Sequence, residues 1–439
     1  MTSAMPHLIH RTFAALAVMT AAGCDTVAEI TFHNEQLVEV AVQGVVSSRC
    51  SSAEGADFAL RMTILTSRDR RLEPGMRFSD MQAPIVPGEN FVADNILFSD
   101  GWLFAVDADG QDRTCASASD CRERESCLPL AGLGLDDYYY APAQYCVIPT
   151  TISLLSAPRF HHYRELTLSE NSSVTSDNAN GRTIAFILDN SSSLNGSQLD
   201  GVPNDMLATD PYQYRRVGLT AFLEALSVSQ VQSPLYEFSA HFANGAGMGG
   251  VFVPSETWIK TIGQFKAQIL DKYPTPSGLS PIYEAALMSL EHAMQHGNAA
   301  YTRTLVAFTD GPPSSDTSLA AFQSMLGASG QTPLHWIDLQ PDGHPPYLSY
   351  AARVAQQCGS YHYIHQPTQI PPIMRRIALN TESYWDIAIS LSTKPMAGQG
   401  YRLATDFTIR LGDMAVHYAA QRKLSNHAVE DDRLFILLP

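Results

Sequence analysis

Residues 184–196 read Ile-Ala-Phe-Ile-Leu-Asp-Asn-Ser-Ser-Ser-Leu-Asn-Gly ("IAFILDNSSSLNG"), five apolar side chains directly in front of Asp189, with Ser191 and Ser193 two and four residues on. A short, continuously apolar run of this length reads as a strand buried on both faces. The chain that follows keeps alternating strand and helix signals. Strands are expected in "LYEFSAHF" (235–242), "RTLVAFTDG" (303–311), "PLHWIDLQ" (333–340) and "SYHYIH" (360–365). Helices are expected in "YRRVGLTAFLEALS" (214–227), "WIKTIGQFKAQILDKY" (258–273), "SPIYEAALMSLEHAMQH" (280–296), "LAAFQSMLGAS" (319–329), "LSYAARVAQQCG" (348–359) and "PPIMRRIALN" (371–380). Apolar strands in alternation with helices predict an α/β class domain, a doubly wound parallel sheet covered by helices on both faces.

In such a sheet the carboxyl ends of the strands form the rim where ligands bind, and Asp189 stands there. Alternate residues of a loop can turn toward one centre, so Asp189, Ser191 and Ser193 can offer three oxygens to one hard cation. Two further rim segments carry matching chemistry. A second apolar strand ends in Asp310, followed by Gly311, and Ser280 precedes Pro281 at the start of a helix, where a hydroxyl is also a natural N-cap. Taken singly, Asp189 and Ser193 read equally well as helix caps and Asp310 as a turn residue.

Taken in order, the five positions make the region from Arg182 to Asn380 resemble a von Willebrand factor A domain with a metal-ion-dependent adhesion site. The family's D-x-S-x-S motif matches Asp189, Ser191 and Ser193, its second acid matches Asp310 in "FTDG", and its threonine matches Ser280 in "SPIYEAAL". Serine at 280 departs from the family's threonine and keeps the hydroxyl oxygen. The resemblance implies a bound Mg2+, with Mn2+ or Ca2+ as substitutes. It also implies a protein partner that completes the coordination with an acidic side chain, and recognition rather than catalysis.

Outside this region the pattern is β. "LVEVAVQGVV" (37–46), "FALRMTIL" (58–65) and "GWLFAV" (101–106) read as strands of a sandwich or barrel. The polar run "LSENSSVTSDNANG" (168–181) reads as a linker, and from Tyr384 the β pattern returns in "YWDIAISLST", "YRLATDFTIRL" and "RLFILLP". The expected division is a leader at 1–23, a β-rich part at 24–175, the A-type domain at 176–380 and a C-terminal β segment at 381–439. The C-terminal strands are expected to complete the N-terminal β part; a small β appendage on the α/β domain is the competing arrangement.

The chain carries 28 Lys and Arg against 44 Asp and Glu, a net charge of −16, which disfavours nucleic acid as a partner. Its first residues read as an export signal, with Arg11 ahead of an apolar stretch and small residues up to Cys24. "TAAGC" (20–24) resembles the lipobox of bacterial lipoproteins, which implies lipidation of Cys24, a membrane anchor and a place in the cell envelope. Setting Cys24 aside leaves an even number of cysteines, which in an exported chain favours disulfides. Cys115, Cys121, Cys127 and Cys146 lie in a segment, 107–150, that reads as a disulfide-tied excursion. Their spacing lacks the short pairs that grip zinc, two bridges are expected among them, and three pairings are open. Cys50 and Cys358 can pair or stay free.

Weaker motifs point elsewhere. His292 and His296 in "HAMQH" are spaced i, i+4 without the glutamate of H-E-x-x-H and read as surface or cap histidines. Asp107, Asp109 and Asp112 read as a polar turn, and Tyr138–Tyr140 as a partly packed loop. Neither a nucleophile elbow around Ser197 nor a phosphate-binding G-x-x-x-x-G-K is present. Two functional alternatives stand beside adhesion. One is an envelope hydrolase or accessory subunit using the A-type domain to recruit substrate. The other is a structural scaffold with a vestigial site.

Overall fold

The computed structural model describes residues 37–47, 56–66, 96–107, 112–129, 144–156, 159–162, 181–195, 208–227, 236–244, 250–253, 258–299, 301–310, 318–329, 332–339, 359–364, 366–411, 414–420, 422–425, 428–431 and 433–437. Cys24, Cys50, Cys358, Asp109, Tyr138–Tyr140, Ser197, Gly311, the linker after 168 and the helix expected over 348–359 lie outside them.

The N-terminal strands are β1 (Leu37–Ser47), β2 (Phe58–Thr66), β3 (Ile96–Phe98), β4 (Gly101–Ala105), β5 (Thr114–Cys115), β6 (Ser126–Pro129), β7 (Gln144–Thr150), β8 (Ile152–Leu154) and β9 (Arg159–His162). The α/β region supplies β10 (Arg182–Asp189), β11 (Tyr236–Asn244), β12 (Gly250–Phe252), β13 (Thr302–Thr309), β14 (Leu334–Leu339) and β15 (Ser360–Ile364). Its helices are α1 (Tyr214–Ser227), α2 (Ile262–Phe265), α3 (Ile282–Gln295), α4 (Leu319–Ala328) and α5 (Ile370–Glu382). The chain ends in β16 (Ser383–Leu391), β17 (Gly400–Leu411), β18 (Met414–Ala420), β19 (Arg422–Ser425), β20 (Ala428–Asp431) and β21 (Leu434–Leu437).

The α/β sheet has the order β12-β11-β10-β13-β14-β15. Its five long strands are parallel, as their apolar runs predict, and β12 adds an antiparallel edge that its three residues did not announce. Every residue of β10 is buried, and its side chains alternate between two cores. Ile184, Phe186 and Leu188 pack with Leu219, Phe222 and Leu223 of α1, Phe265 of α2 and Ile373, Met374 and Ile377 of α5. Ala185 and Ile187 face Ile282, Ala286 and Leu290 of α3 and Phe322 and Leu326 of α4. Burying each large side chain contributes about 1.5–3 kcal/mol, which makes this sandwich of helices around β10 the rigid base of the site. Gly218 sets how closely α1 approaches α5, since a Cβ there would stand 2.8 Å from Ile370 Cγ2.

The helix expected over 258–273 forms only as α2 and a following π-turn, Lys266–Leu270. Ile259 is extended because its backbone pairs with Phe238 at 2.7 and 3.0 Å, so the helix starts at Thr261, whose hydroxyl accepts from the Gln264 amide at 3.1 Å. Pro274 ends the segment, as a proline without an amide hydrogen must. The other described helices begin and end within two residues of expectation.

The C-terminal strands complete the N-terminal β part. β16 pairs antiparallel with β2 and also carries β8 and β9, giving the order β1-β2-β16-β8. β17 pairs with β18, β4, β3 and β21 in a second sheet, where β4 continues through β7 to β5 and β6. Phe58, Leu60, Trp385 and Ile387 from one sheet and Leu103, Ile148, Tyr401 and Leu403 from the other share one buried core, which defines a sandwich. α5 runs directly into β16, and Thr63 donates to Asn380 Oδ1 at 3.2 Å, joining the two parts of the molecule.

Two disulfides, Cys115–Cys127 and Cys121–Cys146, tie the excursion down, with Cα–Cα separations of 5.9 and 5.4 Å. Asp112, read as part of a polar turn, is buried instead between two cations, accepting from Arg402 Nη1 at 2.9 Å and Arg433 Nη2 at 2.8 Å. That double pairing is what makes its burial tolerable.

Candidate functional site: an all-oxygen cluster at the sheet's switch point

β10 is hydrogen-bonded to β11 on one side and to β13 on the other, and chain connections leave it in opposite directions. Loops after these two strands therefore diverge and open a crevice at their carboxyl ends, the topological switch point of an open α/β sheet. Asp189 ends β10, and Asp310 follows Thr309 at the end of β13. The two acids face each other across that crevice because the sheet reverses there.

Three loops close over them. The loop after β10 turns at once, with the Ser191 amide donating to Asp189 Oδ1 at 2.9 Å, an Asx-type turn. Its backbone is fixed to the segment ahead of α3: Ser277 N donates to Asn190 O at 2.9 Å, and the Ser192 amide and hydroxyl both donate to Gly278 O, at 3.1 and 3.0 Å. Gly278 has φ 68, the left-handed region glycine enters without strain, and the turn it permits delivers Ser280 to the rim. A third loop arrives ahead of α1, where Thr209 N donates to Ser193 O at 3.1 Å and Asp210 N to Leu194 O at 3.1 Å.

The side chains then form two groups, joined through the Ser191 amide. Asp189 Oδ2 accepts from Ser280 Oγ at 2.6 Å and from Thr309 Oγ1 at 2.8 Å. Ser191 Oγ lies 3.0 Å from Ser193 Oγ and donates to Asp310 Oδ1 at 3.4 Å, and Thr209 Oγ1 donates to Asp310 Oδ2. All five residues singled out from sequence are brought together, and four of them, Asp189, Ser191, Ser280 and Asp310, are buried.

Capping roles fall elsewhere. Ser280 does not cap α3: the cap position is Pro281, and the serine hydroxyl is spent on Asp189. α1 is capped by Asp210, whose carboxylate accepts from the Tyr214 amide at 2.6 Å and the Arg215 amide at 3.1 Å. Asp210 also binds buried Arg215 Nη1 at 2.8 Å, so this arginine is paired at the cap, and its charge still reaches Asp310.

Two residues of the network escaped the motif reading, Thr209 and Thr309. Thr309 stood inside the quoted "FTDG". Thr209 had no motif signal, since its distance to Asp310 is set by tertiary folding across about a hundred residues.

The chemistry of the donor set fits a hard divalent cation. Two carboxylates are buried side by side; burial first and the Asp189 charge second push Asp310 up to about 7, while neighbouring hydroxyls pull the other way. Every donor is oxygen, as Mg2+, Mn2+ and Ca2+ require and as softer metals do not. A hydroxyl that donates its proton to a carboxylate keeps its lone pairs for a cation. Ser191 and Ser280 stand in that state already.

No family model matches the chain, and no curated protein does. Among solved structures, the SpRpn10 VWA domain is similar at 12% identity over 43% of this chain and 93% of that one, with a TM-score of 0.32. Proximal thread matrix protein 1 of the mussel byssus, in a structure with a zinc-occupied MIDAS motif, is similar at 16% identity over 48% of each chain, with a TM-score of 0.35. The pilus adhesin SpaC of Lactobacillus rhamnosus GG is similar at 11% identity over 57% of this chain and 46% of that one, also with a TM-score of 0.35. The chain spans about half the length of these last two. The fold itself is defined by this chain's own strand order and cores.

Proposed function

We propose that this chain is a von Willebrand factor A-type protein of the cell envelope that binds a divalent cation at Asp189, Ser191, Ser193, Ser280 and Asp310, and through it an acidic group of a protein partner. The observation that carries the proposal is the oxygen network placed at the switch point of the sheet, with two buried acids and converging hydroxyls. When bound, a divalent ion supplies an electrophilic position that outweighs the local negative charge and accepts a partner's carboxylate. The protein's own part is positional. Asp189 orients Ser280 and Thr309, Ser191 ties the first loop to Asp310, and Thr209 holds Asp310 from the side of α1. Mg2+ is the first choice, with Mn2+ or Ca2+ as substitutes, and the reading is of binding without catalysis.

Export and anchoring belong to the same proposal. Paired disulfides suit an oxidising compartment, and the lipobox-like "TAAGC" supports lipidation of Cys24. The test is thermal unfolding with and without Mg2+, together with recovery of bound envelope proteins in the presence or absence of EDTA. Mg2+ is expected to raise the melting temperature of wild type and not of Asp189→Ala, and EDTA to release the partner. Equal stabilisation of both proteins would refute the metal assignment. EDTA-insensitive capture, unchanged by Asp189→Ala, would refute the binding mode.

A further inference from the structure

A second cluster of ligating side chains lies at the other end of the helix that carries Ser280 at its start. His292 on the last turn of α3 and His296 at its C-cap are one turn apart, their ring centres 5.4 Å apart. His241 reaches the same place from β11, its ring centre 5.6 Å from that of His292. Together with Glu291 and Gln295 these rings line an open pocket of about 470 Å³, and among the described residues no lysine or arginine lines it.

Three features set this pocket apart from a chance grouping of surface histidines. First, His241 is 2% exposed, and its Nδ1 is buried without a hydrogen-bond partner among the described residues. Burial, and His292 beside it, hold His241 down at about 4, so the ring is neutral near pH 7 and offers a lone pair. Second, the Trp258 indole stacks flat on His292, 4.6 Å between centres and 1° between planes, which fixes that ring's orientation. Third, the pocket lies at a helix C-terminus, where the backbone carbonyls favour a cation.

We propose that His241, His292 and His296 form a second metal site, selective for a transition metal that prefers imidazole nitrogen, such as Zn2+ or Cu2+, with Glu291 or solvent in the remaining position. Two imidazoles on one tetrahedral ion, with metal–nitrogen bonds of about 2.0–2.1 Å, place their ring centres about 5 Å apart. The observed 5.6 and 5.4 Å separations are close to that figure. The three rings do not yet bring one nitrogen each within 4.8 Å of the other two. His296 is exposed, and rotation about its two side-chain torsions is the movement the proposal requires of it. The choice of metal separates the two sites: nitrogen donors take Zn2+ or Cu2+, and the oxygen cluster at the rim takes Mg2+ or Ca2+.

The test is calorimetric titration of ZnCl2 into untagged Asp189→Ala protein held in excess Mg2+, so that the rim contributes no zinc binding. One equivalent of zinc is expected, and His292→Asn or His296→Asn is expected to weaken it at least ~tenfold. Cu2+ should quench Trp258 fluorescence in the parent protein and not in His296→Asn. Metal-free melting serves as the folding control, and exposed His296→Asn decides the matter if His292→Asn melts early. Absence of zinc uptake, or uptake that His296→Asn leaves unchanged, would overturn the proposal. Because Asp189 is already replaced, this result is separable from failure of the rim site.

Discussion

Asp310→Asn is the substitution that most sharply separates a metal site from a structural network. In the metal-free protein the Asp310 carboxyl is pushed up to about 7 from 3.8, by burial first and by Asp189 second. A group whose folded pKa is raised contributes stability that is full below its unfolded value and lost as pH rises through the folded value. Between roughly pH 4 and 7 the metal-free protein should therefore lose stability, by at most about 4 kcal/mol at 1.36 kcal/mol per unit. Asparagine has the same shape and no charge, so it escapes that loss. It also weakens the hydrogen bonds from Thr209 and Ser191, at about 1 kcal/mol each. At pH 8 in EDTA the variant is expected to be more stable than wild type by about 1–3 kcal/mol, and near pH 4, where only the weakened hydrogen bonds count, less stable by about 2 kcal/mol. With Mg2+ at a hundred times its dissociation constant, wild type should gain about 2.7 kcal/mol and the variant nothing. Urea unfolding at pH 4.5 and 8, with EDTA or Mg2+, reads all four corners. A variant that is less stable than wild type in EDTA at pH 8, or one that Mg2+ still stabilises, would refute the reasoning.

Three further outcomes follow from the same contacts. Ser280→Ala removes the 2.6 Å donor to Asp189 and should weaken Mg2+ binding at least ~tenfold, while Ser280→Thr keeps the hydroxyl and should bind within a few-fold of wild type, both read by Mg2+-dependent melting. Asp210→Ala leaves Arg215 buried without its carboxylate and α1 without its cap, and should cost about 3–5 kcal/mol in chemical unfolding with or without metal. His335, held down at about 3 by burial and then by Arg61, contributes stability that is complete above about 6.5 and falls away as pH drops. Its loss should reach about 2 kcal/mol at pH 5, and His335→Gln should flatten that part of the stability–pH curve.

What the sequence disclosed and what it withheld divide along a physical line. Strands β10, β11, β13, β14 and β15 were legible because burial on both faces leaves them mostly apolar or aromatic. Asp189 and Asp310 were legible less from their local sequence, which also allows a cap or a turn, than from the order in which they, Ser191, Ser193 and Ser280 occur. Edge strand β12 and the early end of α2 were not, because a three-residue strand and a bridge from Ile259 to Phe238 depend on partners distant in sequence. The same holds for Thr209, whose neighbours span three loops. Ser280 shows how the two kinds of information combine. By sequence it was both a plausible N-cap and a ligand, and a hydroxyl on an isolated helix would take the cap. It does not, because Gly278 turns the chain so that the nearest strong acceptor is the buried Asp189 carboxylate. A carboxylate draws a hydroxyl more strongly than a backbone amide does, by roughly a factor of two in hydrogen-bond strength. The buried carboxylate at the rim thus reorganises its own neighbourhood, turning a potential cap into a donor.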